Sequence, residues 1–279
     1  MPPDNSLTPI NRLSCDCHFH VFNAGQSAVG ARYAPDYAAS ITDWETVAAE
    51  SGITRGVLVQ PSFLGVDNSQ LLATLAQRPA RLRGVAVVNQ SATNAELLHL
   101  HANGVRGIRL NLMGVADDSQ EIRGLPESWW SGLIAAGLHL ELHSEIGRVA
   151  ALLPLVPQGI TVVLDHFAKP LDASRADATV QAVDARRRSG NVTYVTLSGA
   201  YRLGANDALL QAKLSAELAT VWLELLGRDY LLWGSDWPCT NYESDANYSR
   251  LRDTLDDWLP SAEDKHAALR DNPQRLYWR

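Results

Sequence analysis

The segment Leu13-Ser14-Cys15-Asp16-Cys17-His18-Phe19-His20-Val21-Phe22 contains neither glycine nor proline and mixes apolar with polar residues. It predicts a β-strand over Leu13–Phe19. Strand period two places Asp16, His18 and His20 on one face and Cys15, Cys17 and Phe19 on the other. Two imidazoles two residues apart at a strand end can converge on one metal ion or one substrate oxygen. A lone histidine on a strand is more often structural, but two alternating with an aspartate point to chemistry.

Outward from this segment, short β-prone runs alternate with helix-forming runs to the end of the chain. The further strand candidates are Arg55–Gln60, Leu82–Val88, Val105–Leu110, Leu138–His143, Ile160–Asp165, Val192–Leu197 and Tyr230–Gly234. Helices are expected at Trp44–Glu50, Asn68–Ala76, Thr93–Asn103, Pro126–Ala136, Arg148–Leu155, Asp177–Ser189 and Asp207–Leu226. Thr42 or Asp43 suits a helix start, and Gly52, Gly104, Gly137 and Gly190 suit helix ends. Eight such alternations without a long linker predict one closed parallel (β/α)8 barrel spanning residues 13–279. An open doubly wound sheet is the rival, but no dinucleotide glycine fingerprint follows the first strand.

In a closed barrel, chemistry collects where the strands end. The fifth strand, Leu138-His139-Leu140-Glu141-Leu142-His143, puts His139, Glu141 and His143 on one face, with His143 nearest the mouth and the other two suited to an internal polar layer. The sixth passes from Val162-Val163-Leu164 straight into Asp165-His166, where His166 is a metal or substrate ligand and Asp165 a partner that orients an imidazole. The eighth delivers Asp236 in Trp233-Gly234-Ser235-Asp236-Trp237-Pro238, where a carboxylate can take a proton from attacking water. Cys239, three residues on, is a weak candidate nucleophile, because water serves that purpose.

The chain has 279 residues, 46% of them hydrophobic, and a formal net charge of −7. The charge and the lack of a basic run argue against nucleic acid as a partner. Three cysteines are too few for a disulfide framework or a zinc finger. No apolar run approaches the roughly 20 residues of a membrane span, and residues 1–12 read as a flexible lead-in, not a signal peptide. The expected location is cytoplasmic, and a homo-oligomer is compatible with the sequence.

Together, Asp16-x-His18-x-His20, Leu164-Asp165-His166-x-x-Lys169-Pro170 and Trp233-Gly234-Ser235-Asp236-Trp237-Pro238 resemble the amidohydrolase-2 family. Val59-Gln60-Pro61-Ser62, Arg83-Gly84-Val85-Ala86, Gly104-Val105-Arg106-Gly107-Ile108-Arg109-Leu110-Asn111 and Asn272-Pro273-x-x-Leu276-Tyr277 extend the likeness to its 2-pyrone-4,6-dicarboxylate lactonase-like group. The resemblance runs in order from about residue 13 to the end. It implies a somewhat deformed barrel that hydrolyses a small anionic lactone, with substrate contacts at Ser62, Arg109, Arg202, Asn241 and Tyr33 or Tyr37. A planar guanidinium suits such a substrate because it pairs two-to-two with a carboxylate or sulfonate. The group's pattern has a further arginine where this chain has Val115, which favours a lactone with a different second acidic group over the pyrone dicarboxylate itself. Lys169 lies past its strand, which argues against a lysine-bridged binuclear metal site.

Two mechanisms fit these residues. In one, a single Zn²⁺ or Mn²⁺ is held by His18, His20 and Asp236, with His166 or His143 completing the set, and activates water. In the other, the histidines and arginines polarise the carbonyl without metal while Asp236 activates water. A metal-dependent non-oxidative decarboxylase of a small aromatic or semialdehyde acid is the alternative reaction, and a non-catalytic binding barrel a third reading.

Overall fold

The computed structural model describes residues 13–205, 207–243 and 247–278. The expected lead-in, residues 1–12, lies outside them. The strands are β1 (Cys15–Phe19), β2 (Arg55–Val59), β3 (Leu82–Ala86), β4 (Val105–Asn111), β5 (His139–His143), β6 (Val162–Leu164), β7 (Thr193–Leu197) and β8 (Leu231–Trp233). They pair in parallel in chain order, the topology predicted from the alternation. Helices α1 (Ile41–Glu50), α2 (Ser69–Gln77), α3 (Asn94–Ala102), α4 (Asp118–Arg123), α5 (Glu127–Ala136), α6 (Val149–Leu152), α7 (Ala178–Arg188) and α8 (Ala208–Leu226) fill the connections. Three helices follow the last strand: α9 (Tyr248–Trp258), α10 (Ala262–His266) and α11 (Asn272–Tyr277). No helix among the described residues is long and apolar enough to cross a membrane.

The expected helix starts at Thr42 or Asp43 are corrected by the capping geometry. Ser40 caps α1, its hydroxyl accepting from the Asp43 amide while the Asp43 carboxylate returns to Ser40. Helix α4 and the last three helices are not read from the sequence, although α9 carries Tyr248, Leu255 and Trp258 on one buried face.

The barrel is stitched, not laddered, between β8 and β1. The Asp236 amide donates to the His18 carbonyl at 2.8 Å, and the His20 amide donates to the Trp237 carbonyl at 2.8 Å. Among the described residues, Phe19 and Trp237 alone form a bridge there. Closure is therefore confined to the carboxyl end of the barrel, where the site must be held.

A register shift in β1 overturns one expectation. Asp16 pairs with Gly56, but Phe19 pairs with Leu58, so β1 spends one residue more than β2 over the same span. Such a bulge reverses the in–out parity beyond it. Asp16 consequently faces away from the site, and only His18 and His20 turn inward. Cys15 and Cys17 join Val57, Val59, Val85, Val163, Tyr194 and Leu232 in the barrel interior, whereas Phe19 stacks on Trp44 of α1 at 4.0 Å between ring centroids. The buried Asp16 carboxylate instead accepts from Trp44 Nε1, Tyr248 OH, the Ser235 amide and hydroxyl, and the His18 amide, at 2.6 to 3.1 Å. It ties β1, β8, α1 and α9 together across the seam. At the opposite end, Leu276 and Tyr277 of α11 pack under the interior cluster as a floor.

Candidate active site

Five strands deliver polar side chains to one end of the barrel. β1 supplies His18 and His20, β4 supplies Arg109 and Asn111, β5 supplies Glu141 and His143, and the segments beyond β6 and β8 supply Asp165, His166 and Asp236. His18 lies deepest, with no exposure, and Asp165, His166 and Asp236 are also almost wholly buried. Backbone conformation aims some of these groups. His166 (φ 51) and Asp236 (φ 57) lie in the left-handed region, which costs an ordinary residue about 1–3 kcal/mol and persists only where packing enforces it. Gly199 makes room for both, since a Cβ there would stand 2.7 Å from His166 Nδ1 and 3.3 Å from Asp236 Oδ2.

Each oxygen of Asp236 has its own task. Oδ2 accepts from Arg202 Nε at 2.6 Å and Tyr201 OH at 2.8 Å. Oδ1 faces His20 Nε2 at 3.3 Å and His18 Nε2 at 3.7 Å. Burial would raise this carboxyl, but the Arg202 guanidinium outweighs it and holds it well below the usual carboxylate range. Asp236 is thus an anion at neutral pH with one oxygen anchored and one turned to the histidines.

His20 Nδ1 lies 2.8 Å from the Val59 carbonyl. A carbonyl only accepts, so this bond assigns the proton to Nδ1 and leaves Nε2 with its lone pair toward Asp236. The His166 ring is oriented by Ser198 Oγ, 2.9 Å from its Nδ1, a hydroxyl that can either donate or accept. Burial pushes His20 down and His166 well below the ordinary histidine value, so both present neutral imidazoles.

Beside them sits a second charge cluster. Arg109, 3% exposed, donates to Asp165 Oδ2 from Nη2 at 2.7 Å and from Nε at 3.2 Å, and its Nε stands 3.2 Å from Glu141 Oε1. Its Nη2 also reaches His143 Nδ1 at 3.1 Å. Burial would raise Asp165, yet Arg109 and His18 hold it well below its ordinary value. Glu141 goes the other way, up to about 8, through burial and the neighbouring charge of Asp165. His143 is pushed well down by burial and Arg109, and Lys169 lies 3.3 Å from its Nε2.

Several buried polar atoms here make no hydrogen bond: both ring nitrogens of His18, Asp165 Oδ1 and Glu141 Oε1. His18 Nδ1 stands 3.3 Å from Asp165 Oδ1, while its Nε2, 3.7 Å from Asp236 Oδ1, has no hydrogen-bond partner, a costly state for a buried imidazole unless something binds it. His18, His166 and Asp236 can bring one ligand atom each within 4.8 Å of one another. Two adjoining trios meet the same limit: His143, Asp165 and His166, and His18, Glu141 and Asp165. The donor set of imidazoles and carboxylates fits a divalent cation of the zinc or manganese kind.

Above this floor opens a cavity of about 240 Å³, which suits a single-ring molecule. His20, His143, His166 and Asp236 line it, together with the expected substrate contacts Ser62, Arg109, Arg202, Asn241 and Tyr33. Tyr37 is outside the lining and donates to Glu243 Oε1 at 2.6 Å. Asn111, which closes the Gly104–Asn111 motif at the end of β4, also lines the cavity, as do Arg32, Met113, Thr240 and Tyr242, which the sequence does not single out. Their loops carry no motif, and only the fold brings them to the mouth. Cys239 is wholly buried, and burial pushes its thiol up, which removes it as a nucleophile.

The sequence profile of the Amidohydrolase family matches residues 15–279. A 2-pyrone-4,6-dicarboxylate hydrolase from Comamonas testosteroni is 30% identical over 94% of this chain and 89% of its own length. A 4-sulfomuconolactone hydrolase from Rhizobium radiobacter is 26% identical over 96% of this chain and 91% of its own. Among solved structures, one described as a putative 2-pyrone-4,6-dicarboxylic acid hydrolase from Pseudomonas putida superposes with a TM-score of 0.86 at 32% identity, covering 96% of this chain and 98% of that one.

Proposed function

From the premise that this chain belongs to the amidohydrolase family, we propose that it is a lactone hydrolase opening a small anionic lactone by attack of water on the ester carbonyl. The observation that carries this reading is Asp236, an ionised carboxylate with Oδ2 anchored by Arg202 and Tyr201 and Oδ1 free to accept a proton. Water adds to the lactone carbonyl and gives its proton to Asp236 Oδ1. The ring carbon–oxygen bond then breaks, and the ring oxygen leaves with a proton, giving an open hydroxy acid or its keto form. His143 and His166, both neutral and lining the cavity, are placed to orient and polarise the carbonyl, and the proton taken up by Asp236 passes to the departing oxygen. Ser62, Asn241 and Tyr33 orient the ring, and Arg202 and Arg109 give the anion a positive field.

His18, His20, Asp236 and His166 would hold one divalent ion, zinc first and manganese second. When bound, the ion lowers the pKa of its water to about 7 and polarises the carbonyl. The test is ring opening of a panel of pyrone and muconolactone-type acids, followed by absorbance, using protein purified without chelator and protein stripped of metal. The expected result is turnover of at least one diacidic lactone, its loss on stripping, and its return with Zn²⁺ or Mn²⁺. Full activity without stoichiometric metal would contradict the metal, and no turnover by the metal-loaded protein would contradict the reaction.

A further inference from the structure

Arg32, in the loop that follows β1, lines the cavity but enters neither charge cluster. Three arginines line that cavity, Arg32, Arg109 and Arg202, against a single carboxylate, Asp236. Two of the three are already committed. Arg109 is spent on Asp165 and Glu141, and Arg202 on Asp236. Arg32 makes no hydrogen bond or ion pair with any described residue, so it is the uncommitted guanidinium among the described lining residues.

Its position is also cleared for it. Gly114, with φ 72, lies beneath the Arg32 side chain, and a Cβ there would stand 3.2 Å from Nη1 and 3.3 Å from Cδ. A side chain at 114 would be strained by the backbone and would crowd the guanidinium. The chain carries a net charge of −7, so a doubly anionic ligand meets overall repulsion and needs local positive charge at the mouth. We infer that Arg32 engages the second acidic group of the substrate, making this site selective for lactones with two acidic groups over those with one. This inference rests on the lactone-hydrolase reading for the reaction, but the anion preference itself can be measured without turnover.

The experiment is calorimetric binding of two stable aromatic probes, pyridine-2,4-dicarboxylate and pyridine-2-carboxylate, at fixed ionic strength. Wild type, Arg32→Met and Arg32→Lys are compared, with lactone turnover recorded separately. A charge-assisted pair is worth roughly a tenfold to hundredfold change in affinity. The wild-type preference for the diacid is therefore expected to fall by about tenfold or more in Arg32→Met and to be partly restored in Arg32→Lys. Equal weakening of both probes, an unchanged preference, or no diacid preference in wild type would each overturn the assignment. A wild-type protein that prefers the diacid yet opens no lactone would instead overturn the reaction and leave the anion site standing.

Discussion

Arg109 carries two duties that the sequence could not separate. The resemblance to the lactonase-like group marks it as an anion contact, and it does line the cavity. Its guanidinium also neutralises the buried Asp165 carboxylate and stands beside Glu141. Breaking such a buried pair by removing one partner costs on the order of 3–5 kcal/mol, because the other charge is left uncompensated. Arg109→Met is therefore expected to lower the unfolding free energy by about 3 kcal/mol as well as weaken substrate binding. The pH dependence follows from Asp165, which Arg109 and His18 hold well below its ordinary value. A carboxylate depressed on folding adds stability that is complete above its unfolded pKa, about 4, and is lost as the pH falls through the folded value. The stability gap between wild type and Arg109→Met should thus narrow below about pH 4. A gap independent of pH in chemical denaturation would rule out the ion pair as its source. Gly199→Ala tests packing at the same scale. With Cβ at 2.7 Å from His166 Nδ1, it is expected to cost at least tenfold in kcat while the chain still folds, and unchanged kinetics would show that the close approach is unnecessary.

At the scale of elements, β1 shows what strand periodicity can and cannot deliver. Alternation correctly turns His18 and His20 into the site but places Asp16 with them, because a single extra residue relative to β2 is invisible without the neighbouring strand. The same limit hides Arg32 and Tyr242, which reach the cavity from positions that no local pattern marks. The strands carrying His143, His166 and Asp236 contain no such shift, so their ends could be read directly. Asp16 meanwhile accepts five hydrogen bonds at the unladdered seam between β8 and β1. Asp16→Ala would strand several buried donors, so a loss of about 3 kcal/mol or more is expected, with a lower Tm. Unchanged thermal stability would mean that the seam is held elsewhere. Ser235→Ala removes one of those donors and should cost less, about 1 kcal/mol.

Over the whole molecule, eight repeats of strand and helix were legible because parallel barrel strands are buried on both faces and read as short apolar runs. Helix α11 was not, since it is six residues long and contributes through a few buried residues and not through a periodic face. Tyr277 fills the interior beneath Cys15, Cys17 and Val57. Tyr277→Ala should therefore cost about 3–5 kcal/mol, the usual range for emptying a large aromatic site in a packed core. A loss under 1 kcal/mol would show that the floor collapses around the gap. The same architecture can host decarboxylation, because the barrel sets where a site lies and not which bond breaks. The central claim is that Asp236 directs water onto a lactone carbonyl. Its most direct test is turnover in heavy-oxygen water, with mass spectrometry of the product, for wild type and Asp236→Asn. The account predicts one heavy oxygen in the newly formed carboxylate, no carbon dioxide released, and a rate roughly 100- to 10,000-fold lower in the variant. An unlabelled product, release of carbon dioxide, or undiminished turnover by Asp236→Asn would contradict it.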